Sequence, residues 1–443
     1  SVIARFAVAY WLIPLYYEKE IYSPYDFMGN RLGEGARRLV TGLFALGSIL
    51  GQSVRVLVTA IILQVVTGMD APLCIVIIGA VAILWTFMGG MQTVIWTDVI
   101  QFCLFIFGGV LALSLLIGEL GWSQIVELNQ VTIDGSNKDK LTWLDFTTPF
   151  QEPRLRYTMW VALIAMPFQN FTAFGIDQLN TQRMFCCGSV KDARKAMCWS
   201  SISIIVTILM LAVGAGLFAW YRVYEPSGLI ATSFEKSNNV FPTWITMEVA
   251  PGLSGLILAG AFAAAISSLD SILAALSQAS LSVFYGRDKL EAAGNGREMV
   301  RLSRIVVCVW GVILTAAGLG LWVVYKKNPD SDLIGLAFGM VAYTYGPLLG
   351  VLVAAILPIK VSTKGLILGT VLSVLLVSWF RPELPLALEA MGLAAWAQNI
   401  ILLRPELTSE WFFPFNASIT LLCGWLGALL GSSEAPVSAD KQR

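Results

Sequence analysis

Residues 258–273 read LAGAFAAAISSLDSIL, a run of small apolar residues that carries two adjacent serines and then an acid. Written on a helix, Ala264, Ser267, Ser268 and Ser271 fall at i, i+3, i+4 and i+7 and share one face, and Asp270 borders it. A charged side chain at the centre of a bilayer costs about 2.5–3.5 kcal/mol on insertion scales. A hard cation asks for oxygen ligands, and hydroxyls, a carboxylate and a freed backbone carbonyl on one stripe supply several. Small residues also let helices pack closely, and serine can bond back to its own helix. That packing role accounts for the alanines and glycine but leaves Asp270 unexplained.

The flanking sequence shows why a bilayer is the right solvent for this stripe. Of 443 residues, 57% are hydrophobic and 13% charged. Soluble domains run nearer 45–50% apolar and about 25% charged. A membrane helix needs about 20 apolar residues, and eleven candidate spans occur: 3–17, 39–66, 73–89, 95–117, 158–182, 197–220, 253–283, 305–325, 333–357, 365–380 and 411–431. The fold class expected is an all-α polytopic membrane protein forming a single domain. The stretch 384–402 follows Pro382 and Pro385 and carries Glu389 and Gln398; it reads as an interfacial or extracellular helix. No signal peptide is visible, since Ser1 leads straight into apolar sequence, and the chain reads as lacking its N-terminal part.

Charge sets orientation and excludes several classes. The loops 18–38, 88–94, 183–196, 284–304, 358–364 and 432–443 together hold 17 Lys and Arg, against 10 for the loops on the other side. The richer side faces the cytoplasm. The loops 118–157 and 221–252 then face outward, and the short C-terminal tail lies inside, in a multi-pass protein of the plasma membrane. Basic and acidic residues balance at 29 each, so no basic field draws nucleic acid. Histidine is absent, which removes His-based triads and HExxH zinc sites. The seven cysteines show no CxxC and read as buried thiols.

Three more ionisable residues fall in spans. Asp98 opens a span at its cytoplasmic end, either as a first-turn acid favoured by the helix dipole or as a carboxylate near the inner end of an ion path. Arg55, in mid-span, either pairs with an aspartate or meets an anionic solute group. Asp177 lies in a span that mixes Pro167, Gln169, Asn170, Phe174 and Gly175. Such a span makes a poor continuous helix, and broken helices at the midplane expose backbone groups at transporter binding sites. Asp177 and Arg183 read as a capping or Asp–Arg arrangement, while Gln169, Asn170 and Phe174 read as solute contacts.

The segment from Gly89 to Gln101 resembles the GG-x₃-VIWTD-x-x-Q stretch of the sodium:solute symporter family, which includes sodium/glucose, sodium/sialic acid and sodium/proline symporters. Asp177-Gln178 with Gln182-Arg183 resembles its DQ-x₃-QR motif, Ala264 to Ser271 its sodium-site helix, and Tyr345-Gly346-Pro347 the turn in a late core helix. Ser23 to Leu32 resembles its TxPEY-x-x-x-RF loop, with departures. The resemblance covers essentially the whole chain.

It implies a leucine-transporter-like core of two five-helix inverted repeats, with the first core helix missing and 3–17 as the tail of the second. Residues 1–117 are then the remainder of repeat one, 118–157 an extracellular loop, 158–357 repeat two, and 358–443 extra helices with a cytoplasmic tail. It implies a main sodium site at Ala264, Ser267 and Ser268, and a second, present in some members, at Asp98, Ser267, Asp270 and Ser271. Asp270 stands where members with that second site often carry Ser or Thr, which favours a bound cation or a shared proton. The solute set expected is Gln169, Asn170, Phe174, Asp177, Gln178 and Arg55. The lysine that contacts sugar in the glucose and galactose members falls at about Ile204, so a hexose is disfavoured, and Arg55 tilts the reading toward an anionic or zwitterionic solute.

The function expected is sodium-coupled secondary active import of a small organic solute by alternating access, without enzyme activity and with sodium as the coupling ion in place of any cofactor. A channel would show a repeated pore loop or charge ring. A transporter-like sensor would carry a signalling domain, and only twelve residues follow residue 431.

Overall fold

The structure is a computed structural model that describes residues 1–18, 21, 23–88, 91–130, 146, 158–224, 237–285, 297–327, 333–381, 385, 388–389, 392–403 and 407–431. Gly89 and Gly90, most of the expected 118–157 loop, parts of the 221–252 and 284–304 loops and the tail from 432 lie outside the described residues. No strand occurs among the described residues.

Nine described helices are long and apolar enough to cross a membrane. They include α3 (Glu34–Thr67), α4 (Ala71–Met88), α5 (Met91–Leu120), α8 (Val190–Tyr224), α9 (Leu253–Tyr285), α10 (Arg297–Tyr325), α11 (Leu333–Ile356), α12 (Thr363–Phe380) and α13 (Phe412–Leu429). The two remaining apolar spans are irregular. Helix α1 (residues 2–18) has a π-helical turn at Val8–Leu12, and the 158–182 span begins with a π-helical turn at Val161–Ala165. Every one of the eleven apolar runs is therefore helical. The stretch 384–402 yields a helix of ten residues, Ala394–Leu403, too short to cross.

The connection 18–38 is more ordered than a loop. It contains α2 (Pro24–Leu32), which starts because Ser23 caps the Tyr25 amide and Pro24 occupies the first turn, where a missing N–H costs nothing. The outer surface is apolar, with Ile100, Val110, Leu211, Val312, Leu375 and Leu422 exposed, while polar groups such as Asp270, Ser271, Thr344 and Asn416 are buried. This inversion is expected where the solvent is lipid. The cysteines depart from the expectation of uniform burial: Cys74 is buried, but Cys103 and Cys186 are exposed.

Small residues set how closely helices approach. A Cβ at Gly260 of α9 would fall 2.8 Å from the Leu104 carbonyl oxygen of α5, and one at Gly369 of α12 would fall 2.7 Å from Cα of Thr420 in α13. The packing role of small residues is thus real here, and it brings the polar positions of α5 and α9 face to face.

Candidate functional site

Helices α5 and α9 run antiparallel in a fixed register. Gly108 lies against Ile257, Leu104 and Phe105 against Gly260, and Asp98 against Ser267. The same register brings Gln101, one turn outward of Asp98, level with Ala264. The seam therefore carries Asp98 and Gln101 on one helix and Ala264, Ser267, Ser268 and Ser271 on the other.

Asp98 is held from both sides. Its Oδ1 accepts a 2.5 Å hydrogen bond from the Ser267 hydroxyl, and its Oδ2 accepts a 2.5 Å bond from the Arg183 guanidinium. Arg183 also donates to Ser271 Oγ at 2.5 Å. The Ser271 hydroxyl lies 3.3 Å from Asp270 Oδ1 and 3.5 Å from Asp98 Oδ2. Having one proton, it can donate to only one of the two carboxylates at a time. Asp270 is fully buried. Its Oδ1 also takes the Ser271 amide at 2.6 Å, and its Oδ2 has no hydrogen-bond partner among the described residues. Ser268 Oγ bonds back to the Ala264 carbonyl at 3.3 Å, the local bond that serine makes in a helix. Gln101 was not singled out for the site from sequence. Its Oε1 is buried without a partner on this seam, and the signal that could have found it was its i, i+3 spacing from Asp98.

The second region is the broken helix. Helix α6 (Met166–Gly175) starts with Pro167 in its first turn and stops at Ile176. Asp177 is extended and caps α7 (Gln178–Phe185), accepting from the Leu179 amide at 2.9 Å. Its other oxygen accepts the Tyr345 hydroxyl at 2.5 Å. The break is stitched: Asn180 Nδ2 reaches back to the Ala173 carbonyl at 2.7 Å, and the Thr172 carbonyl takes the amides of both Ile176 and Asp177. Tyr16 of α1 donates to the Gly175 carbonyl at 2.9 Å, and Tyr17 bonds the carbonyls of Met184 and Cys187, each at 2.9 Å.

The structure separates the expected solute residues. Arg55 is exposed on α3, and Asp177 and Tyr345 are the groups whose charges act on it. It forms no ion pair among the described residues, against the expectation of pairing with an aspartate. One turn earlier, Gln52 has a buried Oε1 without a partner among the described residues. Gln169 is half-buried. Asn170 bonds its own helix at the Met166 carbonyl, 2.8 Å away. Gln178 is turned to the start of α2: its side-chain Oε1 accepts from Ser23 Oγ at 3.0 Å, and its backbone N–H donates to the Tyr25 hydroxyl at 3.2 Å. Of the capping or Asp–Arg arrangement expected for Asp177 and Arg183, the cap is the one present: Asp177 caps α7, and Arg183 partners Asp98. Phe174 lies under Arg5, whose guanidinium carbon is 4.2 Å from the ring centroid; Arg5 had no assigned role from sequence.

Comparison with known proteins bears on this arrangement. The profile of the sodium:solute symporter family matches residues 2–373. A sodium/sialic acid symporter of Proteus mirabilis is 26% identical over 380 residues, covering 84% of this chain and 72% of that protein. A sodium-coupled monocarboxylate transporter 2 of Bos taurus is 25% identical over 428 residues, covering 90% of this chain and 65% of that protein. A substrate-bound, outward-open structure of a Na⁺-coupled sialic acid symporter superposes with a TM-score of 0.74 at 23% identity, over 99% of this chain and 84% of that one, a likeness of fold. With a family model matching residues 2–373, the chain belongs to the sodium:solute symporter family, a family of transporters.

Proposed function

We propose that the protein imports a small anionic or zwitterionic organic solute together with sodium by alternating access across the cell membrane. The observation that carries this reading is the unmatched charge on the α5–α9 seam. Among the described residues, Asp98 and Asp270 face one guanidinium, Arg183, and the buried Oδ2 of Asp270 has no partner. With both carboxylates ionised, the cluster lacks one positive charge, and the oxygen atoms around it suit a hard monovalent cation. Sodium binds at Asp98, Ser267, Asp270 and Ser271, and a main site uses Ala264, Ser267 and Ser268 with the Gln101 amide oxygen at the same level.

Solute binds at the helix break. Arg55 and Gln52 meet its anionic end across from Asp177 and Tyr345, and Gln169, Asn170 and Phe174 line the approach from α6. Gln178 acts indirectly, tying the break to α2. Each sodium entering down 100 mV contributes about 2.3 kcal/mol. Coupling requires that each ligand raise the other's affinity by the same factor. The excess of Lys and Arg in the loops on one side supports a cytoplasmic tail, and with that orientation the inward exit opens beside Asp98.

Uptake by proteoliposomes under an inward sodium gradient tests this, with radiolabelled acidic, zwitterionic and neutral solutes offered in turn. Accumulation that collapses when sodium is replaced by potassium is expected for the first two classes. Sodium-independent uptake, or none for any class, overturns the proposal.

A further inference from the structure

The C-terminal ends of α3 and α10 meet the N-terminal end of α4 at one membrane surface and border a cavity of about 680 Å³, a volume within the range of small-molecule sites. None of the residues of the sodium seam or of the helix break lines it. Asp70 and Leu73 come from the start of α4, Trp322, Tyr325 and Lys326 from the end of α10, and Asn239 from the 3₁₀ turn Ser237–Asn239. That turn is fastened to α10, because Asn238 Nδ2 donates to the Tyr325 hydroxyl at 3.1 Å.

The lining carries both signs of charge. Asp70 and Lys326 are exposed, and no salt bridge joins them among the described residues. The Lys326 ammonium lies 5.4 Å from the centroid of the Trp322 ring, a contact of modest strength at an exposed site. A purely anionic ligand would be repelled by Asp70, and a purely cationic one by Lys326; a zwitterion complements both. Asn239 adds an amide oxygen that is buried without a donor among the described residues, which suits an ammonium that still has N–H groups.

The walls indicate where such a ligand comes from. Leu73 is exposed while it lines the cavity, and Val76, one turn along α4, and Val323 of α10 are exposed as well. On membrane-spanning helices such residues face acyl chains. Trp322, Tyr325, Lys326 and Lys327 end α10 with the aromatic and basic residues that mark headgroup level. The cavity thus opens at headgroup depth beside an apolar surface.

We propose that this cavity binds the zwitterionic phosphoethanolamine headgroup of a phospholipid, with the phosphate on Lys326, the ammonium between Asp70 and Asn239, and the chains along Leu73 and Val76. Bound there, the lipid bridges α4, α10 and the turn Ser237–Asn239. The same headgroup chemistry has a second source, a chain-free ester of phosphoethanolamine, and the exposed apolar wall favours the lipid. The inference does not depend on the sodium or solute sites.

The test is the melting temperature of the full chain in dodecyl maltoside micelles as the mole fraction of added lipid is raised. Phosphatidylethanolamine is compared with phosphatidylglycerol and diacylglycerol of the same chains, and with chain-free glycerophosphoethanolamine. The parent is expected to show a saturable rise in Tm with phosphatidylethanolamine that exceeds the rise with either comparison lipid. Lys326→Gln raises the midpoint roughly fivefold, the loss of one exposed ion pair. Asp70→Asn raises it to a similar extent and brings the midpoints for phosphatidylethanolamine and phosphatidylglycerol together, which loss of a merely structural contact would not do. A response to phosphatidylethanolamine without one to glycerophosphoethanolamine assigns the lipid, and equal responses to the two assign the free headgroup. Lack of a saturable response in the parent, equal midpoints for phosphatidylethanolamine and phosphatidylglycerol in the parent, or midpoints in both variants equal to the parent's, overturns the proposal.

Discussion

Ser267 of α9 donates a 2.5 Å hydrogen bond to Asp98 of α5 across 169 residues of sequence. The same carboxylate is paired on its other oxygen with Arg183. Asp98 therefore organises three helices, and a cation bound at the seam competes with Arg183 for it. Asp98→Asn leaves the guanidinium without its counter-charge and is expected to destabilise the protein by about 1–3 kcal/mol, moderated by the partial exposure of Arg183. The double variant Asp98→Asn/Arg183→Gln regains part of this. Urea or thermal melts of the four proteins check it, and strictly additive losses would exclude the coupling.

Ser268 offers a contrast. Its hydroxyl bonds only its own helix, at the Ala264 carbonyl. Ser268→Ala is expected to change stability by less than about 0.5 kcal/mol, as for sites outside a packed network. It should raise the sodium concentration for half-maximal uptake roughly tenfold, the loss of one ligand oxygen. Solute KM at saturating sodium stays close to the parent's. Superimposable sodium activation curves in variant and parent would remove Ser268 from the site.

Asp270→Asn preserves size and removes the charge whose Oδ2 is unpartnered. The expected outcome is a lower ratio of charge to solute moved, read from current and tracer flux in the same vesicles. An unchanged ratio would show that Asp270 carries no coupling ion.

Gly260→Leu tests the seam without touching a ligand. The existing backbone leaves 2.8 Å between a Cβ and the Leu104 carbonyl oxygen, so α5 and α9 must part. Overpacking of this kind costs about 1–3 kcal/mol, and sodium activation should weaken together with the melting temperature. A variant that melts lower yet activates with sodium as the parent does would show that the register is not what sets the site.

Tyr345→Phe removes the hydroxyl on Asp177 while leaving the cap to Leu179 in place. A cost of about 1–3 kcal/mol is expected for the buried acceptor left short, with a rise in solute KM that exceeds any change in sodium activation.

The spans were legible because a twenty-residue apolar run has few alternatives in a bilayer, and all eleven are helical. The stripe on α9 was legible from the spacing of Ser267, Ser268 and Ser271 alone. The pairing of acids with bases was not. Asp177 and Arg183 are six residues apart, yet the helix break turns Asp177 to Tyr345 and leaves Arg183 free to reach Asp98, 85 positions away. Gln178 looked like a solute contact because it sits in a polar stretch, and only the path of α2 shows what occupies its amide. Arg5 was passed over because a basic residue near the start of an apolar run is ordinary until its neighbours are known.

The tyrosines of α1 carry a mechanical meaning. Tyr16 is fastened to the last residue of α6, and Tyr17 to the last turn of α7 and the bend beyond it. Those anchors lie on both sides of the break, so the interrupted helix cannot flex there as a loose elbow without shearing the tyrosine ties. Residues 2–18 and the two half-helices are expected to move together, and spin labels on α1 and α7 that keep their separation while a label on α3 moves relative to both would bear this out.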